Sequence, residues 1–115
     1  MATFSKIDLS GSTDGKQIPV VATATAGTLI HTAQSGTANV DEIWIYATNP
    51  TATGVLLTIE YGGVLTADQI KVTIPSQTGL TTVVPGLVLQ NAQVVRAFAA
   101  TASAINISGF VNRIS

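Results

Sequence analysis

Cysteine is absent from this 115-residue chain, and histidine occurs once, as His31. Without cysteine there are no disulfides and no thiolate metal ligands. One histidine and six dispersed carboxylates do not make a tetrahedral zinc site, and no Asp-rich calcium loop is present. Nucleophilic catalysis needs a base beside the nucleophile. Strand alternation in "TLIHTA" sets His31 on a face with Leu29 and Ala33, opposite Ile30 and Thr32, which reads as a half-buried packing residue. Glu42 and Glu60 could form a hydrolytic carboxylate pair only if their strands were neighbours; exposed glutamates on a wet sheet face are the commoner arrangement. No glycine-rich phosphate loop occurs, since the Gly-Gly of "YGGVLTADQ" lacks a following Lys-Ser/Thr. No enzyme activity, metal or cofactor is therefore expected.

Charge is scarce as well. Charged residues make up 10% of the chain, against roughly 25% in ordinary soluble domains. Lys6, Lys16, Lys71, Arg96 and Arg113 are scattered, so no basic run exists to displace counterions from a nucleic acid. No stretch approaches the roughly 18 apolar residues of a membrane span, and "MATFSKIDLSGS" lacks the apolar run of a signal peptide. The expectation is a protein made in a cytoplasm, with neither nucleic acid nor membrane as partner.

What is abundant is Thr, Val and Ile, whose branched Cβ atoms suit a pleated sheet. Short apolar runs alternate with turn signals: 18–25, 28–33, 40–48, 55–61, 70–74, 80–84, 87–90, 93–101 and 104–114. Punctuation every 8–12 residues is the spacing of a sandwich or barrel. The rival helical pattern is one turn from Thr66 towards Lys71. The chain thus reads as all-β: an antiparallel sandwich of jelly-roll or Greek-key type, with 8–9 strands over residues 16–115. Residues 1–15 read as an extended N-terminal arm, a frayed end or a segment docking Phe4, Ile7 and Leu9 on a neighbouring subunit.

The stretch "DEIWIYATNPTATGVLLTIEYGG" (41–63) holds the sole Trp, both Tyr and three of six acidic residues. It reads as two neighbouring strands around Asn49-Pro50. Alternation puts Glu42, Trp44 and Tyr46 on one face and Ile43 and Ile45 on the other. Either Trp44 and Tyr46 form an outward contact surface, or they face the core. Apolar residues fall on both faces of several strands, including "TTVVPGLVLQ" and "QVVRAFAA". A monomer would then expose more apolar surface than monomers tolerate, which favours assembly into a homo-oligomer.

The opening "MATFSKIDLSGSTDGKQIPVVATATAGTLIHTA", the centre "VDEIWIYATNPTATGVLLTIEYGG" and the ending "VVRAFAATASAINISGFVNRI" together resemble small structural proteins of tailed-bacteriophage virions. The resemblance implies a capsid decoration (cement) protein: β-rich, oligomeric (frequently trimeric), bound to the outer capsid surface and reinforcing contacts between major capsid protein subunits. A second reading is a glycan- or receptor-binding module of a phage fibre or tail. In it Trp44, Tyr46 and Tyr61 would stack on sugars, and Glu42 or Glu60 would hold hydroxyls.

Overall fold

The computed structural model describes residues 3–115. Nine strands form two antiparallel sheets: β1 (Phe4–Asp8), β2 (Ile18–Pro19), β3 (Thr28–Thr32), β4 (Val40–Thr48), β5 (Val55–Tyr61), β6 (Gln69–Ile74), β7 (Thr81–Leu89), β8 (Val94–Ala99) and β9 (Asn106–Ile114). One sheet runs β1-β9-β4-β7, with β2 also on β9; the other runs β3-β8-β5-β6. β1 and β2 lie end to end along the same side of β9, facing 110–114 and 106–107 respectively. Counted as one interrupted strand, they complete the alternating strand order of a jelly roll.

The fully buried hydrophobic cluster between the sheets is aliphatic, with Tyr61 packed against it. Ile43, Ile45, Ala47, Val84, Ile107 and Val111 of the first sheet meet Ile30, Leu57, Ile59, Val95 and Ala97 of the second. Side-chain alternation explains the selection: β4 is buried at every second residue, from Asp41 to Ala47. None of the six aromatic residues is fully buried. Apart from Tyr61, the rings lie outside the cluster.

Several expectations are corrected. β4 and β5 are in different sheets, so the 49–54 connection crosses the sandwich rather than closing a hairpin. Buried Asn49 fixes that crossing: its amide donates to the Thr53 and Ile74 carbonyls, and its side-chain oxygen accepts from the Thr51 amide. Runs 80–84 and 87–90 are a single strand, β7, which passes through Pro85-Gly86 by shifting register against β4; an edge strand tolerates proline because its outer side has no ladder to break. The run 18–25 yields only the two-residue β2. The turn at Thr66–Asp68 is a 3₁₀ turn, with the Leu65 N–H donating to the Asp68 carboxylate.

The N-terminal segment also differs from a separate arm. Residues 4–8 pair with this chain's own β9, and Leu9 is 1% exposed in the core. Residues 10–12 then reach the edge of β3: Gly11 N–H donates to Ile30 O, and the Thr32 amide donates to Ser10 Oγ. Gly11 passes so close that a Cβ there would lie 2.4 Å from Leu29 O. Leu9 thus anchors the segment in its own core and Ile7 packs against it, whereas Phe4 remains 70% exposed. Residues 1–2 of the expected arm lie outside the described residues.

Candidate contact surface

Trp44 points outward. It stands on the solvent side of the first sheet with Glu42 and Tyr46, while Ile43 and Ile45 fill the core. Its cross-strand neighbours are Phe110 on β9 and Pro85 on β7. The Trp44 and Phe110 rings stack at 5.9 Å between centroids and 13° between planes, a favoured offset geometry for aromatic pairs. On the far side of Phe110, the Lys6 ammonium lies 4.5 Å from the ring centroid, within cation–π range. On the far side of Trp44 sits Gly86, at φ 83°, where a Cβ would come within 2.9 Å of the indole. Glycine is therefore required there twice, for its backbone angle and for its missing side chain.

The polar end of the indole is also engaged. Trp44 Nε1–H donates to Glu42 Oε1 at 2.8 Å, and the Asn112 side-chain amide donates to the same oxygen at 2.9 Å. These two donors hold the Glu42 carboxyl below its ordinary pKa. Lys6, Phe110, Trp44 and Gly86 thus form one continuous stack across the sheet. The N–H of Trp44 is committed to Glu42, one ring face stacks on Phe110, and Gly86 lies close against the indole, so the ring is held in place by its neighbours.

The five side chains of the glycan-binding alternative do not converge. Trp44, Tyr46 and Glu42 are on the outer face of the first sheet, whereas Tyr61 and Glu60 belong to the second. Glu60 is not on a wet face either; it is 0% exposed. Its carboxylate accepts from the Gly27 N–H at 2.7 Å and from the Thr25 hydroxyl, fastening the segment before β3 over the sheet. The hydrolytic pairing of Glu42 with Glu60 fails for the same reason, since β4 and β5 are not neighbours.

The expected contact residues divide three ways. Phe4 is 70% exposed on β1, Ile7 is half-buried against the core, and Leu9 is inside it. Trp44 and Tyr46 share the outer face with Val88, which is 57% exposed.

A second polar cluster lies between the sheets at one end. Asp41, 0% exposed, accepts from Arg113 Nε and Nη2, both at 2.9 Å, and from His31 Nε2 at 2.8 Å. The Ser10 main-chain N–H donates to His31 Nδ1 at 3.0 Å. That bond requires an unprotonated Nδ1, so His31 is the neutral Nε2–H tautomer. Burial lowers the His31 pKa, outweighing the hydrogen bond and charge of Asp41 that raise it. For Asp41 burial works upward, but the hydrogen bonds from Arg113 and His31 and the Arg113 charge prevail, and its pKa is lowered. Burial, reinforced by the charge of Asp41, pushes the Tyr61 hydroxyl up to about 12.

Ser10, His31 and Asp41 superficially supply the residue types of a triad. However, the lone pair that would take a proton from Ser10 Oγ is occupied by the Ser10 main-chain N–H, and His31 is 0% exposed. The cluster ties sheet to sheet. Sequence alternation missed it because β3 shifts register between Leu29 and His31, so that Ile30 and His31 are both buried while Leu29 stays 39% exposed. No protein-family model matches the chain, and comparison with curated proteins and with solved structures finds no similar one.

Proposed function

We propose that this chain is a structural protein of a tailed-phage virion, a decoration subunit that binds the outer capsid surface and stabilises contacts between major capsid subunits. The observation that carries this reading is the placement of the aromatic residues. Tyr61 alone packs against the aliphatic core, and three of the other five, Trp44, Tyr46 and Phe110, stand together on one outer sheet face. Half-buried aromatic rings on a rigid support are what protein interfaces favour at their centres. The stack pre-orders Trp44 and Phe110, so binding costs little side-chain entropy. A sandwich held by its core alone also needs no disulfide to form in a reducing cytoplasm. Jelly rolls serve viral shells and lectins alike, so the fold supports this reading only alongside the surface and the sequence resemblance.

The test is cosedimentation with capsids assembled from the major capsid protein whose gene neighbours this one. Wild type is expected in the capsid pellet. Val88→Asp, which places a charge on the exposed face without touching the core, should weaken binding by about tenfold. Wild type left entirely in the supernatant would overturn the proposal.

A further inference from the structure

The two edges of the aromatic-bearing sheet are built differently. On β7 the edge is broken by Pro85, which has no N–H, and by two register shifts against β4. Such interruptions discourage further strand addition. β1, at the other edge, has neither proline, glycine nor bulge, and pairs with β9 in unbroken register from Phe4 to Asp8.

The orientation of its backbone groups follows from one pair. Thr3 and Ser115 exchange both main-chain hydrogen bonds, at 2.7 and 2.9 Å. In an antiparallel ladder such pairs alternate, so Thr3, Ser5 and Ile7 address β9. Phe4, Lys6 and Asp8 turn their N–H and C=O groups away from it, and these groups engage no partner among the described residues. The side chains of Phe4, Lys6 and Asp8 are exposed on the outer face.

We infer that β1 is a self-recognition edge, which pairs antiparallel with β1 of a second copy about a two-fold axis through Ile7. Charge selects the register. With Ile7 opposite Ile7 of the second copy, Lys6 faces Asp8 of that copy and Asp8 faces its Lys6, so each opposite-charge pair also exchanges both ladder hydrogen bonds. A two-fold axis perpendicular to the sheet keeps inner faces inner, which restricts slips to steps of two residues. A slip one way puts Lys6 against Lys6; a slip the other way puts Asp8 against Asp8. Both alternatives juxtapose like charges. In the second sheet, β3 is covered by residues 10–12, and β6 carries Lys71 with no acidic residue within the strand to face it.

The result is a continuous sheet across two copies with both Lys6–Phe110–Trp44 stacks on the same side. A short ladder makes a weak, concentration-dependent dimer. This inference does not depend on a capsid partner, because the purified full chain tests it alone.

Sedimentation velocity over a concentration series is the measurement. Wild type should move from 11.8 kDa towards twice that mass, with half-dimerisation on the order of 10–100 µM. Lys6→Asp and Asp8→Lys should each raise the dissociation constant by about tenfold or more, because two facing pairs become repulsive. The double variant Lys6→Asp/Asp8→Lys should restore it. Wild type that stays monomeric at millimolar concentration, single variants that associate like wild type, or a double variant that fails to recover would each overturn the proposal.

Should the charge variants fold poorly, Ile7→Cys supplies an independent reading in a chain with no other thiol. Facing residues at a non-hydrogen-bonded site lie about 4.5 Å apart between Cα atoms, within disulfide range. Oxidation should give a covalent dimer from Ile7→Cys and not from Val88→Cys. A monomeric Ile7→Cys after oxidation overturns the register.

Discussion

Asp41 and Glu42 are adjacent in sequence and live in opposite worlds. Asp41 faces the core, fully enclosed, and draws a guanidinium and a histidine; Glu42 faces outward and receives only the neutral N–H groups of Trp44 and Asn112. The difference follows from their surroundings. A carboxylate removed from water requires charged or multiple donors to remain ionised, while one at the surface is already solvated and can serve merely to orient a neighbour. One residue of strand alternation therefore separates an ion that braces two sheets from an ion that positions a ring.

The largest break in that comparison should come from Asp41→Ala. It leaves Arg113 and His31 without their acceptor, and a cost of about 3 kcal/mol is expected, at the low end for a broken buried pair because Arg113 can turn to solvent. Glu42→Ala should leave the urea midpoint nearly unmoved. Equal losses from the two substitutions would show that burial does not distinguish them.

A smaller effect should appear with pH. His31 has a native pKa below the 6.5 of the unfolded chain, so between the two values the unfolded state binds more protons. Stability should be complete above pH 6.5 and fall as the pH drops below it, with a slope of at most about 1.4 kcal/mol per pH unit for one proton. Asp41, whose pKa is lowered from 3.8, adds a further loss only below that value. Urea titrations at pH 7.5, 6.5 and 5.5 would reveal the slope, and His31→Gln should flatten it at its own lower stability. A wild-type curve flat across that range contradicts the neutral, buried imidazole.

How much of this was readable beforehand depends on where the period of two survives. Along β4 it does, and the opposite facings of Asp41 and Glu42 followed directly. At β3 a register shift buried His31 in company that alternation had not assigned to it. Glu60 was misplaced for another reason: a segment distant in sequence folds over its face, and alternation says nothing about what lies on top. β1 was missed because "FSKID" has too few apolar residues to look like a strand; its partner β9 lies at the other end of the chain. Pro85 looked like a terminator, yet an edge strand can carry one. The outward placement of Trp44 was one of two readings, and the stack with Phe110 and Lys6 was invisible until three strands were set side by side.

The finest effect is optical. Trp44 is the only tryptophan, and its indole N–H ends on Glu42, whose pKa is lowered from 4.5. Acid titration should therefore produce a step in tryptophan emission with its midpoint below pH 4.5, and Glu42→Gln should abolish it without unfolding the protein. An unchanged step in that variant would assign the signal to another group.

The broken course of β7 has a last consequence, one of valence. A sheet with two open edges is a bifunctional monomer, and nothing in its geometry prevents step growth into a fibre. Closing one edge with Pro85 and two register shifts makes the unit monofunctional in that direction. Once β1 has found its counterpart, the lateral chain is terminated at two links.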